Sequence, residues 1–306
     1  MLSVVVPTYR KKPRLRLMLT SLVSASREVA AEVEIVVVDD GSEDDVEATV
    51  EQATGRDSRA VVQVVKGEHR GRSVARNLGA KQAAHERVLF LDDDVLLTSQ
   101  VLETHLRYAR EQRPEFVRGT IFNLPWLVAF EDPESGALTE RAARSLGLAR
   151  GARAEGLRTR TIKLDAKGHV DSSLVALART SRFEKDLHEW LASRPLEMSG
   201  RWVGATGAHL SVSRSAMMQL GGFDEAMGLR WGAEDLEFGY RAEKAGIQIL
   251  HAREAVVYHM DHDSCGREGD HEAAFEYFAR KHQDHKLLQL LAYFAGQRSL
   301  PEALAQ

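Results

Sequence analysis

Four short apolar runs mark the first third of the chain: LSVVV at 2–6, VEIVVV at 33–38, AVVQVV at 60–65 and RVLFL at 87–91. They are rich in β-branched residues and have few polar interruptions, the pattern of strands buried on both faces. Between them, 14–27, 43–54 and 72–84 carry apolar residues at helical spacing. This succession of strands and helices predicts an α/β fold with a parallel sheet covered on both faces. Such sheets place ligands beyond the carboxyl ends of their strands. Three of the four ends are polar here, with Thr8, Tyr9 and Arg10 at the first, Asp39 and Asp40 at the second, and Asp92, Asp93 and Asp94 at the fourth. These residues are expected to converge on one crevice.

The pattern loosens over 123–198, where RAARSLGLARGARAEGLRTR precedes a helical stretch around SRFEKDLHEWL. This region reads as an insertion covering the crevice. Order returns with a strand at 208–212 and a helix that Ser213 caps and Gly221-Gly222 ends. A helix at 234–245 closed by Gly246, strands near 247–250 and 255–258, and a helical stretch at 270–294 complete the chain. Phe275, Phe278 and Ala279 share one face of that last stretch, suited to packing on the core or, in a homodimer, on a second subunit. The expected division is therefore 1–122, 123–198, 199–262 and 263–306.

Composition narrows the function. The 306 residues, 43% hydrophobic and 28% charged, suffice for a substantial core. With 41 Lys+Arg against 45 Asp+Glu, the net charge of −4 gives no overall attraction to nucleic acid or an anionic membrane. Any anion site must be local. Cys265 is the single cysteine, so the chain holds no internal disulfide and no cysteine-based zinc site, which fits a reducing cytoplasm. The first apolar run precedes the basic residues and is broken by Pro7, the reverse of a signal peptide. The stretch LLQLLAYFAG at 287–296 falls short of the roughly 18–20 residues that span a bilayer. The expectation is a cytoplasmic protein with no membrane span, at most peripheral at the membrane.

The turn after the first strand, PTYRKKPRL, has neither G-x-G-x-x-G nor a P-loop. A bound diphosphate would need a metal and basic side chains, and HRGRSVARN offers Arg70, Arg72 and Arg76. Asp40 can accept a hydrogen bond from a base or ribose, although Asp40 or Ser42 would also serve as a plain cap for the helix near 43. Along an extended strand end, Asp92 and Asp94 share one side and Asp93 the other. One acid can then hold a metal while another holds a ribose, and three unpaired carboxylates favour a cation. The same letters fit phosphatases resembling the haloacid dehalogenase family, with Asp92 as nucleophile.

Further on, Glu234 and Asp235 open a helix, where the positive dipole end keeps carboxylates ionised. Trp231 and Gly232 precede them as a platform for an acceptor, and an ionised carboxylate there can take a proton from an attacking hydroxyl. His259 and His262 in VVYHMDH offer imidazole nitrogens to the same metal.

Taken in order, SVVVPTYR, VVVDDGS, SVARNLGA, FLDDDV, GGFDE and WGAEDLEFGYR resemble the family-2 glycosyltransferases of the GT-A fold, over roughly 1–122 and 200–262. The resemblance implies a mostly parallel, Rossmann-like sheet flanked by helices. It implies transfer of a sugar from a UDP-, GDP- or dTDP-sugar, assisted by Mn²⁺ or Mg²⁺, with inversion. By the same resemblance Pro7, Thr8, Tyr9, Arg10, Asp40, Arg72, Arg76, Asp92 and Asp93 hold the nucleotide sugar. Asp94 and His259 are its metal ligands, with Asp92 as a further candidate, and His262 remains an alternative to His259. Asp235 is the general base, Glu234 orients the acceptor, and 123–198 covers the acceptor side. A phosphatase using Asp92 and a non-catalytic nucleotide-sugar-binding protein stand as alternatives. That phosphatase family, however, carries its nucleophile after the first strand, and here the acids follow the fourth.

Overall fold

The computed structural model describes residues 1–55, 61–110, 116–149, 152, 161–263 and 268–305. Cys265, on which the redox expectation rests, lies outside them. The first half alternates strands and helices: β1 Leu2–Thr8, α1 Lys12–Glu28, β2 Val33–Asp39, α2 Val46–Thr54, β3 Val61–Lys66, α3 Arg72–Gln82 and β4 Arg87–Leu91. A two-residue β5 at Val95–Leu96, α4 Ser99–Arg110 and β6 Phe116–Asn123 follow.

Every residue of β1 and β2 is buried, as continuous valine runs demand. Val4, Val6, Ile35 and Val37 pack on Leu15, Met18, Leu19 and Leu22 of α1. Val5, Val36 and Val38 belong to the core on the opposite face, with Ala75 of α3 and Phe90 of β4.

Eight strands form one sheet in the order β3-β2-β1-β4-β9-β6-β10-β5, where β9 is His209–Ser213 and β10 is Ile249–His259. The four strands read from the sequence are parallel to one another. The sheet is not parallel throughout, because β9 runs antiparallel between β4 and β6, and β5 runs antiparallel to β10. The two strands expected near 247–250 and 255–258 are one strand, whose register against β6 slips between His251 and Val256. A local bulge of this kind leaves no clear mark in hydropathy.

Between β6 and β9 the described residues form a small hairpin, β7 Phe130–Asp132 and β8 Ala137–Leu138, and the α-helices α5 Glu140–Ser145, α6 Ser172–Val175 and α7 Arg182–Ala192. Arg14 of α1, 7% exposed, donates to the carbonyls of Leu127, Phe130 and Asp261, pinning this region and the loop after β10 to α1. After β9 come α8 Arg214–Gln219, capped by Ser213, and α9 Glu234–Lys244.

The last helical stretch is not continuous. It divides into α10 Glu268–His282 and α11 Gln289–Phe294, and a short α12 Leu300–Leu304 follows. Gln283 adopts φ +51°, and Asp284 then caps a new turn by accepting from Lys286 N–H. Phe275, Phe278 and Ala279 are buried in the chain's own core beside Phe238 and Tyr240. Among the described residues, no helix is long and apolar enough to cross a membrane.

Candidate active site

Parallel pairing sets the carboxyl ends of the strands side by side. Thr8 lies opposite Asp39, and β4 runs beside β1. Beyond these ends is a cavity of about 380 Å³ lined by Pro7, Thr8, Tyr9, Asp40, Arg72, Asp92, Asp93 and Trp231. Lys11 and His69, which sequence reasoning did not single out, line it too. A larger groove of about 730 Å³ lies between the 194–202 loop and the C-terminal helices, away from all of these acids.

At the β2 end, the two carboxylate oxygens of Asp40 accept the backbone N–H groups of Arg70 and Gly71 at 2.9 and 2.8 Å. Asp39 accepts from Ser42 N–H. The cap of α2 is neither Asp40 nor Ser42 but Asp45, which accepts from Ala48 N–H. Asp40 therefore holds the loop before α3 against the cavity. That loop carries His69, whose ring stacks on Tyr9 with centroids 4.1 Å apart and planes 21° from parallel. Arg10 turns outward to an exposed ion pair with Glu43 at 2.6 Å and does not line the cavity. Arg70 pairs with Glu225 at 3.5 Å.

The three aspartates do not alternate as an extended strand would. β4 ends at Leu91, and Asp93 and Asp94 occupy a turn. Asp92 faces Arg76 at 3.0 Å. Asp93 accepts from the Thr8 hydroxyl at 2.7 Å and lies 3.3 Å from Lys11 Nζ. Asp94, 1% exposed, faces Lys11 Nζ at 2.5 Å, His262 Nε2 at 3.2 Å and His259 Nε2 at 3.4 Å. Thus Asp93 and Asp94 share one cation, and Asp92 points elsewhere.

Antiparallel pairing explains the histidine. His259 lies opposite Val95, and Met260 N–H donates to the Asp94 carbonyl at 2.8 Å, so strands distant in sequence meet at this turn. Asp94, His259 and His262 each offer a ligand atom, all within 4.8 Å of one another. His259 Nδ1 is bonded to Asp261 at 2.8 Å, which directs Nε2 at Asp94.

Electrostatics follow from this crowding. Burial alone would raise the Asp94 carboxyl, but Lys11 and His259 hold it well below the usual carboxylate range. Burial and the Asp94 charge instead raise Asp93. For Asp92, Arg76 and Arg72 outweigh burial and lower it. Burial disfavours an imidazolium at His259, yet Asp94 and Asp261 push its pKa up to about 10.

Arg76 joins this turn to α9. Only 1% exposed, it donates from Nη2 to Asp92 and from Nη1 to Glu234, both at 3.0 Å. Burial opposes its charge, but Asp92 and Glu234 keep it fully protonated. Glu234 is itself 4% exposed, and Arg72 stands 4.0 Å from it.

The chain enters α9 through Gly232 at φ +94° and Ala233 at φ +65°. A Cβ at Gly232 would also meet the ring of His271 at 2.5 Å, so glycine serves both backbone and packing. Asp235, partly exposed, accepts from Gly207 N–H at 3.0 Å and Leu236 N–H at 2.8 Å. The helix start does not keep it at an ordinary value: burial first, then the neighbouring Glu234, raise its pKa to about 6. Glu234 and Asp235 lie behind the Trp231 side of the cavity and do not line it.

A family model described as glycosyl transferase family 2 matches residues 3–154, and one described as the N-terminal domain of galactosyltransferase matches 188–263. The chain resembles the family-2 glycosyltransferases. It is a transferase enzyme, which removes the phosphatase alternative. The uncharacterized glycosyltransferase YfnE of Bacillus subtilis (strain 168) is 26% identical over 96% of this chain and 74% of its own length. A validoxylamine A glucosyltransferase of Streptomyces hygroscopicus subsp. jinggangensis (strain 5008) is 28% identical over 86% of the chain, which spans only 56% of that relative.

Among solved structures, S. aureus TarS 1–349 in complex with UDP-GlcNAc superposes with a TM-score of 0.55 at 18% identity, over 97% of this chain and 72% of that one. The mannosyltransferase PcManGT from Pyrobaculum calidifontis, in complex with GDP-Man and Mn2+, gives 0.52 at 16%, over 96% and 64%. The fold of this glycosyltransferase is GT-A.

Proposed function

We propose that this enzyme moves a hexosyl group from a UDP-, GDP- or dTDP-sugar to an acceptor hydroxyl, with inversion at the anomeric carbon. The observation that carries this reading is the single cavity lined by the ends of β1, β2 and β4, with Thr8, Asp40, Asp92 and Asp93 around it. The nucleoside diphosphate sugars held by TarS and PcManGT support the donor class. Tyr9, stacked on His69, forms the wall for the base. Asp93 and the Thr8 hydroxyl bonded to it offer hydrogen bonds to the ribose and sugar. Residues 1–122 are then the donor half, 199–262 the acceptor half, and 123–198 the acceptor-side cover.

A divalent ion, Mn²⁺ or Mg²⁺, fits at Asp94, His259 and His262. Asp94 Oδ1 is buried without a hydrogen bond, and one carboxylate oxygen with two imidazole nitrogens is a set softer than Mg²⁺ prefers, which favours Mn²⁺ of the two. Arg76 claims Asp92, so His262 replaces it in the set. When bound, the ion would neutralise charge on the departing diphosphate.

Asp235 is assigned as general base. A pKa of about 6 leaves its carboxylate ionised at neutral pH yet basic enough to take a proton from the attacking hydroxyl. Gly207 and Leu236 N–H groups fix its orientation. Glu234, held by Arg76, positions the start of α9, and Trp231 offers a face to the acceptor. One in-line displacement needs only a base, so no covalent sugar–enzyme intermediate forms.

A thermal-shift series with UDP-, GDP-, dTDP- and CDP-sugars, each with and without Mn²⁺, tests the donor assignment. A specific donor raises Tm in proportion to RT ln(1 + [L]/Kd), and more so with the ion. No shift with any nucleotide would overturn it.

A further inference from the structure

We propose that Lys11 is a built-in cation that holds the divalent metal position and yields it when the donor diphosphate arrives. The inference rests on the assignment of Asp94, His259 and His262 as metal ligands. Lys11 Nζ lies 2.5 Å from Asp94 Oδ2, 3.1 Å from His262 Nε2 and 3.3 Å from Asp93 Oδ1. Asp94 Oδ2 and His262 Nε2 are themselves 3.2 Å apart. An ion that took Asp94 through Oδ2 and His262 through Nε2 at the usual distance of about 2–2.3 Å would overlap the ammonium, and one on Oδ1 would still sit beside its charge. Lysine and metal therefore oppose one another.

The exchange has somewhere to go. Lys11 lies just before α1, its side chain is 22% exposed, and it lines the donor cavity beside Thr8 and Tyr9. Its flexible four-carbon stem lets the ammonium swing from the acids to a diphosphate in that cavity without leaving the site. The incoming donor then brings anionic oxygens both to the displaced lysine and to the metal. Metal and nucleotide binding become coupled through Lys11, with the ion held weakly until a diphosphate is present. A purely structural lysine, which only neutralises Asp93 and Asp94, would on removal raise metal affinity by charge alone and equally with and without nucleotide, leaving the coupling unchanged.

The test is Mn²⁺ binding to the full chain, followed by the electron paramagnetic resonance of free Mn²⁺, with and without UDP or GDP. Lys11→Gln and Lys11→Met are compared with the parent protein, giving two chances of a folded variant. Without nucleotide, both variants should bind Mn²⁺ about tenfold more tightly or better, as expected when a competing ion pair worth roughly 1.4 kcal/mol is removed. Nucleotide should tighten Mn²⁺ binding less in the variants than in the parent. Equal or weaker Mn²⁺ binding by both variants, or tighter binding with the nucleotide effect unchanged, overturns the role of Lys11 while leaving the metal assignment intact, provided that Asp94→Asn releases the ion. Mn²⁺ that fails to bind any form with nucleotide, or that survives Asp94→Asn, overturns the metal assignment and this inference with it.

Discussion

Arg76 and Glu234, 158 residues apart in sequence, meet at 3.0 Å with the arginine 1% and the glutamate 4% exposed. The same guanidinium reaches Asp92 at 3.0 Å, so one buried cation ties the donor-side turn to the helix that carries Asp235. Its head lies against Gly207, where a Cβ would come within 2.5 Å of Cζ. Arg76→Ala would leave Glu234 buried without its main partner and Asp92 at the cavity wall without its nearest cation. The expected loss is about 3–5 kcal/mol of stability, read from urea unfolding. Arg76→Lys keeps the charge but not the two-armed geometry, and should fall between the two.

Asp235 is predicted to trade stability for activity. In the unfolded chain its carboxyl titrates near 4, and in the fold at about 6. Between these values the native state binds the extra proton, so stability falls as pH rises from about 4 to about 6 and stays lower above that. Asp235→Asn removes this penalty but sets its amide NH2 against one of the Gly207 and Leu236 N–H groups, so the net gain at pH 7.5 should be about 0–2 kcal/mol. The same change should lower kcat by about 10²–10⁴-fold. In the parent protein, kcat should decline as pH falls through about 6. A variant that lost stability without losing activity would count against the assignment.

The buried histidines behind the sheet make a packing prediction. His209 and His105 share a 3.0 Å contact, and His105 also bonds Ser211 at 2.8 Å. Burial holds His105 well below its ordinary pKa and His209 at about 3, so both are neutral. Gly119 of β6 makes room for this pair, since a Cβ there would lie 1.9 Å from His209 Cε1. Gly119→Ala should cost about 1–3 kcal/mol or more by overpacking, with a lowered urea midpoint.

Much of the donor side was legible because strands buried on both faces write themselves as valine runs, and because polar residues at their ends have one destination. Thr8, Asp40, Asp92 and Asp93 lie together for that reason. What hydropathy does not encode is a turn decided by distant partners. Asp94 leaves Asp92 because Lys11, His259 and His262 gather around it from before α1, the end of β10 and the loop beyond it. Lys11 sat in plain view in PTYRKKPRL, but nothing local shows that its ammonium points back at the acids. The antiparallel β9 and the slipped register of β10 were hidden likewise, since both depend on pairing and not on composition. The Asp235 pKa lies above its ordinary value because burial and Glu234 outweigh Arg76 and the Gly207 and Leu236 N–H groups.

The most direct measurement is the anomeric configuration of the sugar released from a turned-over donor, read by proton NMR, for the parent protein and Asp235→Asn. A donor chosen by thermal shift can be followed with water as acceptor when no better acceptor is in hand. The expected result is early product of inverted configuration from the parent and a rate reduced at least about a hundredfold in Asp235→Asn. Product of retained configuration, or turnover unchanged in Asp235→Asn, would contradict it.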